Sequence, residues 1–152
     1  MILSAEDYNV LSYLLKHNAM AYEQAIAWVY TQFAKDDSTP FLEAFSLALS
    51  PAEMVKIISQ TYQVYGEPSD EFLAGEIAKQ YFEGKLSLHS AISQMLFDLD
   101  LALSKEERQA LYIAEDYFSW HEAAASQAIE HVMPLFDRYR PIYEAAVAKF
   151  AV

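Results

Sequence analysis

Residues 105–133 read KEERQALYIAEDYFSWHEAAASQAIEHVM, a run that contains neither Gly nor Pro. Ser104 and Glu107 stand at its start with the spacing of a capping box, which pairs backbone N–H groups that a helix start leaves free. Apolar residues recur along the run at intervals of three and four, in two adjacent stripes. The pattern predicts one helix of about eight turns that is central to the fold, with neighbours on two sides.

Shorter helices are predicted on either side of this central helix. N-cap residues and first-turn prolines mark their beginnings, because they satisfy or avoid the free N–H groups of a helix start. The predicted caps are Ser4, Thr39, Ser50, Ser69 and Ser87, with Pro40 and Pro51 at first helical positions. The second helix is predicted from apolar spacing that starts at Tyr22. After the central helix, Pro134 and Pro141 are expected to kink or break the chain, since proline lacks the N–H that a helix interior needs.

Length and composition favour a single all-α domain. The chain has 152 residues, of which 54% are hydrophobic, and only three are glycine. It can therefore bury a core, while it has few of the turn residues that a sheet requires. We expect residues 1–152 to form one bundle of about seven or eight helices around the helix at 105–133. Gly75 lies inside a predicted helix, where it costs about 1 kcal/mol relative to Ala, and this predicts a close helix crossing.

The acidic charge restricts the classes of partner. Ten Lys and Arg stand against 22 Asp and Glu, which gives a net charge of −12. Direct binding to nucleic acid is disfavoured, because affinity for phosphates comes from basic side chains. Binding to an anionic membrane is disfavoured for the same reason. Two explanations of the charge stay open: solubility, and long-range attraction of a basic protein partner.

Cysteine content and hydropathy give an expectation for the cellular compartment of the protein. The chain has no Cys, which excludes disulfides, a thiol nucleophile and Cys-ligated metal sites. No basic segment followed by a long apolar one opens the chain, and no window approaches the length of a membrane span. We expect a cytoplasmic protein without an export signal.

Catalytic and metal-binding motifs are missing from the sequence. It has no Gly-x-Ser-x-Gly elbow and no glycine-rich loop that could hold phosphate. A di-iron bundle would need Glu three residues before His, and none of the four His has it. We therefore expect no catalytic residue, no metal ligand and no cofactor, and a protein that is not an enzyme.

His121 is the most unusual residue of the central helix, because it lies in the main apolar stripe. A buried imidazole needs a hydrogen-bond partner and resists protonation. His121 is either a satisfied core histidine or part of a pocket for a small molecule.

The polar side of the central helix is the candidate surface for a partner. Tyr112, Asp116 and Ser119 lie on one side of it, with Glu115 and Glu122 adjoining. Exposed tyrosine beside carboxylates suits protein recognition, since the ring supplies contact area and the hydroxyl stays hydrated. The alternative is a partly buried Tyr112 with only its hydroxyl in water.

These features together predict a small acidic protein-binding module. In class character alone, being small, acidic, helical and cysteine-free, the chain resembles the immunity proteins that neutralise bacterial toxins. The resemblance implies an inhibitor that blocks a basic toxin such as a nuclease, and it carries no residue over. Two alternatives stay open: a small-molecule-binding bundle or enzyme that uses a pocket near His121, and a DNA mimic that inhibits a DNA-binding protein.

Overall fold

A computed structural model of the chain describes residues 3–61, 66–120 and 125–152. All regular structure in these ranges is helical, without a strand, which confirms the all-α fold class and the predicted number of helices. A short π-helical segment, Gln94–Asp98, follows the sixth helix directly. The α-helices are α1 (Ala5–Lys16), α2 (Tyr22–Ala34), α3 (Pro40–Ser46), α4 (Pro51–Thr61), α5 (Asp70–Phe82), α6 (Leu88–Ser93), α7 (Lys105–Trp120) and α8 (Ala125–Ala148).

The chain groups into two compact units. The first consists of Met1–Pro68 with Ala146–Val152, and the second is Ser69–Ala145. Helices α1 to α4 belong to the first unit, whereas α5 to α7 and most of α8 belong to the second. The single domain over residues 1–152 stays a prediction. No helix in the described part of the chain is both long and apolar enough to cross a membrane.

The predicted caps begin the helices. Ser4 Oγ accepts the N–H of Asp7 at 3.1 Å, and Asp7 Oδ2 accepts the N–H of Ser4 at 2.9 Å. Ser104 and Glu107 form the same reciprocal pair at the start of α7, at 3.1 and 3.0 Å. Side-chain oxygens of four further residues each accept the N–H three residues later: Thr39, Ser50, Ser69 and Ser87. Local hydrogen bonding therefore sets these helix starts.

The prediction of one continuous helix over residues 105–133 is wrong. The ring of His131 lies 5.7 Å from that of Tyr117, and Arg138 forms an ion pair with Glu107. In one straight helix Glu107 and Arg138 would lie about 46 Å apart. Helices α7 and α8 therefore run side by side in opposite directions. They bury Leu111, Ala114, Ala128, Val132 and Leu135 of the main stripe, whereas Ile113 of the second stripe is 38% exposed. Residues 121–124, between the two helices, lie outside the described ranges.

Helix α8 also continues through both of its prolines, Pro134 and Pro141. The predicted break is wrong, although each proline removes one backbone hydrogen bond. Both prolines are exposed, whereas Leu135, Phe136 and Tyr139 beside them are buried in the second unit. Burial of these side chains offsets the lost hydrogen bonds.

Gly75 lies where α5 and α8 cross. A Cβ atom added to Gly75 would lie 2.7 Å from Cβ of Tyr143 and 3.1 Å from the carbonyl carbon of Tyr139. Carbon atoms at optimal contact are about 3.5–4.0 Å apart, so the crossing has no room for a methyl group. The close helix crossing predicted at Gly75 is confirmed.

The core of the first unit surrounds Trp28. Its indole Nε1–H donates to the carbonyl oxygen of Lys149 at 3.0 Å. The indole also meets the rings of Phe45 and Phe150 edge to face, with centroids 6.4 and 5.1 Å apart. Trp28 thus attaches the end of the chain to α2 and α3 by one hydrogen bond and two aromatic contacts.

The buried face of α2 differs from the sequence pattern. Spacing predicts an inward stripe through Tyr22, Ile26, Val29 and Phe33, with Trp28 beside it, but Tyr22, Ile26 and Phe33 are only partly buried. The buried residues of α2 are Ala25, Trp28, Val29 and Gln32. The helix is therefore rotated so that the large indole, and with it a polar glutamine, enters the interior.

Asp7 ties the start of α1 to the end of the chain. The carboxylate is buried and accepts hydrogen bonds from Lys149 Nζ, at 2.7 Å, and from the Ser4 N–H. Burial by itself raises the pKa of Asp7, but the hydrogen bonds from Lys149 and Ser4 outweigh it and hold the pKa below its ordinary value. The folded state therefore favours the ionised carboxylate.

We expect this carboxylate to make stability depend on pH at the acid end. Since the pKa of Asp7 is lower in the folded than in the unfolded chain, its contribution is fully present above about pH 3.9 and is lost as pH falls through the folded pKa. Asp7→Asn should lower the free energy of unfolding by about 1–2 kcal/mol at pH 7 and by much less near pH 2.5. Urea unfolding at both pH values measures the difference.

The control for Asp7 is Glu53→Gln, which alters an exposed carboxylate that accepts the Leu49 N–H. This change should cost less at pH 7 than Asp7→Asn, because the group is already hydrated. An equal cost of Asp7→Asn at both pH values would contradict the role assigned to Asp7.

Candidate functional site

Helix α7 carries most of the residues that the sequence predicts for partner binding. Tyr112 is 48% exposed, Asp116 is exposed, and Glu115 is partly buried. The side chain of Ser119 lies outside the described part of the structure, and so do Glu122 and His121 within residues 121–124. Tyr112 and Asp116 are one helical turn apart and so share one side of α7.

Phe97 lies beside this surface, although the sequence pattern does not predict it there. It is 63% exposed, and its ring meets that of Tyr112 edge to face with centroids 6.5 Å apart. Phe97 belongs to the π-helical segment, between the inward-facing Met95 and the partly buried Leu99. The sequence does contain a signal for the exposure of Phe97, because position 97 lies outside the inward stripe formed by Met95 and Leu99.

Exposed carboxylates lie close in sequence to the two rings. Asp98 directly follows Phe97, Asp100 comes two residues later, and Asp116 lies one turn beyond Tyr112. The N–H of Asp100 donates to Oδ2 of Asp70 at 2.9 Å, which holds the backbone that follows the π-helical segment. We define the acidic aromatic face as Phe97, Asp98, Asp100, Tyr112 and Asp116.

Two basic or titratable side chains adjoin this face. Arg108 lies one turn before Tyr112, and its Nη2 donates to the carbonyl oxygen of Leu101 at 3.3 Å. His89 stacks on Phe118, with centroids 5.0 Å apart, and its Nε2 lies 3.8 Å from Oε1 of Glu115. Glu115 is thus directed towards α6, which makes it a weaker candidate for partner contact than Asp116.

The basic cluster at residues 138–140 is paired within the second unit. Arg138 contacts Glu107 on α7, and Nε of Arg140 lies 3.7 Å from Oε1 of Glu144. The backbone N–H of Ser104 and the Arg138 guanidinium lower the pKa of Glu107, and Glu107 in turn raises the pKa of Arg138. Arg138 therefore links α8 to α7, whereas the pair of Arg140 and Glu144 lies within α8.

The acidic aromatic face combines exposed aromatic rings with exposed carboxylates. Its rings offer apolar contact area, and its carboxylates can accept hydrogen bonds from Lys or Arg of a partner. Across residues 3–61, 66–120 and 125–152, no group of three His, Asp or Glu side chains lies close enough to hold a metal ion. No protein-family model, curated protein or solved structure matches the chain.

Proposed function

We propose that this chain is a protein-binding module that takes a basic protein partner on the acidic aromatic face. The observation that carries the proposal is the contact between the exposed rings of Phe97 and Tyr112, with three exposed aspartates within four residues of them in the sequence. Aromatic anchors supply much of the energy at the centre of protein interfaces, and charged groups around them select the partner. The partner would place apolar groups on the rings and Lys or Arg beside the aspartates.

The most concrete form of this proposal is an inhibitor or immunity protein that acts in the cytoplasm on a basic toxin. A nuclease toxin is basic where it holds its phosphate substrate, and a net charge of −12 would speed the encounter by electrostatic attraction. The acidic aromatic face would then cover the basic active site.

The two alternatives differ from this proposal in what they require. A DNA mimic needs carboxylates in rows at phosphate-like spacing, whereas an interface centred on two rings gains energy from desolvated apolar contact. A small-molecule site beside His121 requires a cavity at residues that the structure does not describe. Neither alternative has a described contact in its favour.

Capture from a lysate of the source organism tests the proposal with two matched variants. At about 50 mM salt we expect wild-type protein to retain a basic protein, and at about 500 mM salt to retain less, since screening weakens surface charge pairs. Tyr112→Ser should weaken binding of the captured protein about tenfold, because an aromatic anchor is lost. Titration with the purified partner measures the change.

Tyr30→Ser is the control for Tyr112→Ser. Tyr30 is 59% exposed and meets Phe33 edge to face at 5.8 Å, so it matches Tyr112 in exposure and in aromatic contact but lies on α2. We expect Tyr30→Ser to leave affinity unchanged. Equal affinities of the wild-type protein and Tyr112→Ser would place the interface elsewhere.

A further inference from the structure

A cleft of about 380 Å³ opens in the first unit, with walls from α1, α2, α3 and the end of α4. Its aromatic lining comes from Tyr8, Trp28 and Phe41. The rings of Tyr8 and Phe41 meet edge to face at 5.0 Å, and the Trp28 indole is held by its hydrogen bond to Lys149. These contacts fix the positions of the walls, so the cleft is largely formed before any ligand binds.

Gln32 brings a polar group to this apolar cleft. The residue is only 3% exposed and lines the cleft together with Trp28. Its backbone carbonyl accepts the N–H groups of Lys35 and Asp37, both at 3.0 Å. No described residue forms a hydrogen bond with its side-chain amide. A buried amide normally has a partner, and among the described residues this side chain keeps its capacity both to donate and to accept.

The remaining lining indicates the charge and size of a ligand. All described lining residues are uncharged, so an ion would lose its hydration without gaining a counter-charge. Thr39 adds a hydroxyl whose oxygen already accepts the Leu42 N–H at 3.2 Å. The volume is near the lower end of known ligand sites, which suits a molecule of one or two rings.

We propose that this cleft binds a small, neutral aromatic molecule that carries a carboxamide or an equivalent adjacent donor and acceptor. The ring lies among Tyr8, Trp28 and Phe41, where offset and edge-to-face contacts are favourable. The carboxamide pairs with the side chain of Gln32, since two amides can exchange two hydrogen bonds. This site lies in the first unit and is independent of the acidic aromatic face in the second.

The test is an NMR titration of ¹⁵N-labelled protein with indole-3-acetamide and, separately, with 3-methylindole, which lacks the amide. The chain has two tryptophans, so Trp120→Phe identifies the indole N–H signal of Trp28. We expect saturable shifts at Trp28 and at the Gln32 side-chain amide. The amide probe should bind about five- to tenfold more tightly, because it alone pairs with Gln32.

Two variants test whether Gln32 causes the preference for indole-3-acetamide over 3-methylindole. Gln32→Leu keeps the approximate size and removes the amide, so it should abolish the preference for indole-3-acetamide. The control Gln24→Leu changes an exposed glutamine of the same helix and should leave the preference for indole-3-acetamide unchanged. Absence of saturable shifts, equal affinities of the two probes, or a preference that survives Gln32→Leu would overturn the proposal. If Gln32→Leu does not fold, the wild-type protein still tests the proposal. Its relative affinity for the two probes and the residues whose NMR signals shift are then the deciding observations.

Discussion

Gly75→Ala is expected to lower the free energy of unfolding by about 2–4 kcal/mol. The added methyl group would overlap the backbone of Tyr139 and lie 2.7 Å from Cβ of Tyr143, so α5 and α8 would have to separate. Neither obstacle is the flexible end of a side chain, which leaves backbone movement as the main way to relieve the overlap. Urea unfolding, followed by circular dichroism, measures the change.

The sign of the change in the free energy of unfolding distinguishes a close helix crossing at Gly75 from an open helix. In an open helix the same change would stabilise the protein by about 1 kcal/mol, because Ala has the higher helix propensity. Gly84→Ala is the control: Gly84 has a φ of 75° and no atom within 4 Å of an added Cβ. It should cost about 1 kcal/mol through the backbone alone. If Gly75→Ala were neutral or stabilising, the close crossing of α5 and α8 would be wrong.

Trp28→Ala is expected to cost about 3–5 kcal/mol, the range for deleting a large buried aromatic side chain. The change removes the hydrogen bond to the Lys149 carbonyl and the ring contacts with Phe45 and Phe150. It also leaves a cavity that the neighbouring rings can fill only in part. Urea unfolding measures the loss, and hydrogen exchange should show weaker protection at residues 146–152.

Tyr30→Ala on the same helix is the control, because it removes an exposed ring and should change stability by less than about 0.5 kcal/mol. The pair Trp28→Ala and Phe150→Ala adds a second criterion. Since the two rings are in contact, the double variant should cost less than the sum of the single variants. Strictly additive costs would argue that Trp28 does not hold the end of the chain.

The helix starts could be predicted because their causes are local. A capping side chain and the N–H that it pairs with are three residues apart, as at Ser4 and Asp7 or at Ser104 and Glu107. No distant residue is needed to form those bonds, and helical phase likewise places Tyr112 and Asp116 on one side of α7.

The candidate site could be predicted only in part. Its α7 residues follow from helical phase, but Phe97 joins them because a π-helical segment brings another part of the chain beside Tyr112. The cleft lined by Gln32 depends likewise on how α2 is rotated against its neighbours. Spacing along α2 favours Ile26 and Phe33 for the interior, whereas packing of the Trp28 indole places Gln32 there.

From its amino-acid order alone, this chain is an acidic, cysteine-free, all-α protein whose helices begin at recognisable caps. Tertiary structure alone decided that α7 (Lys105–Trp120) and α8 (Ala125–Ala148) are antiparallel and that α8 continues through Pro134 and Pro141. Hydrophobic periodicity indicates which side chains are buried, but it does not indicate which helices they pack against. Two apolar stripes predict contact on two sides equally well for one long helix and for two helices that pack on each other, and only contacts between distant residues distinguish them.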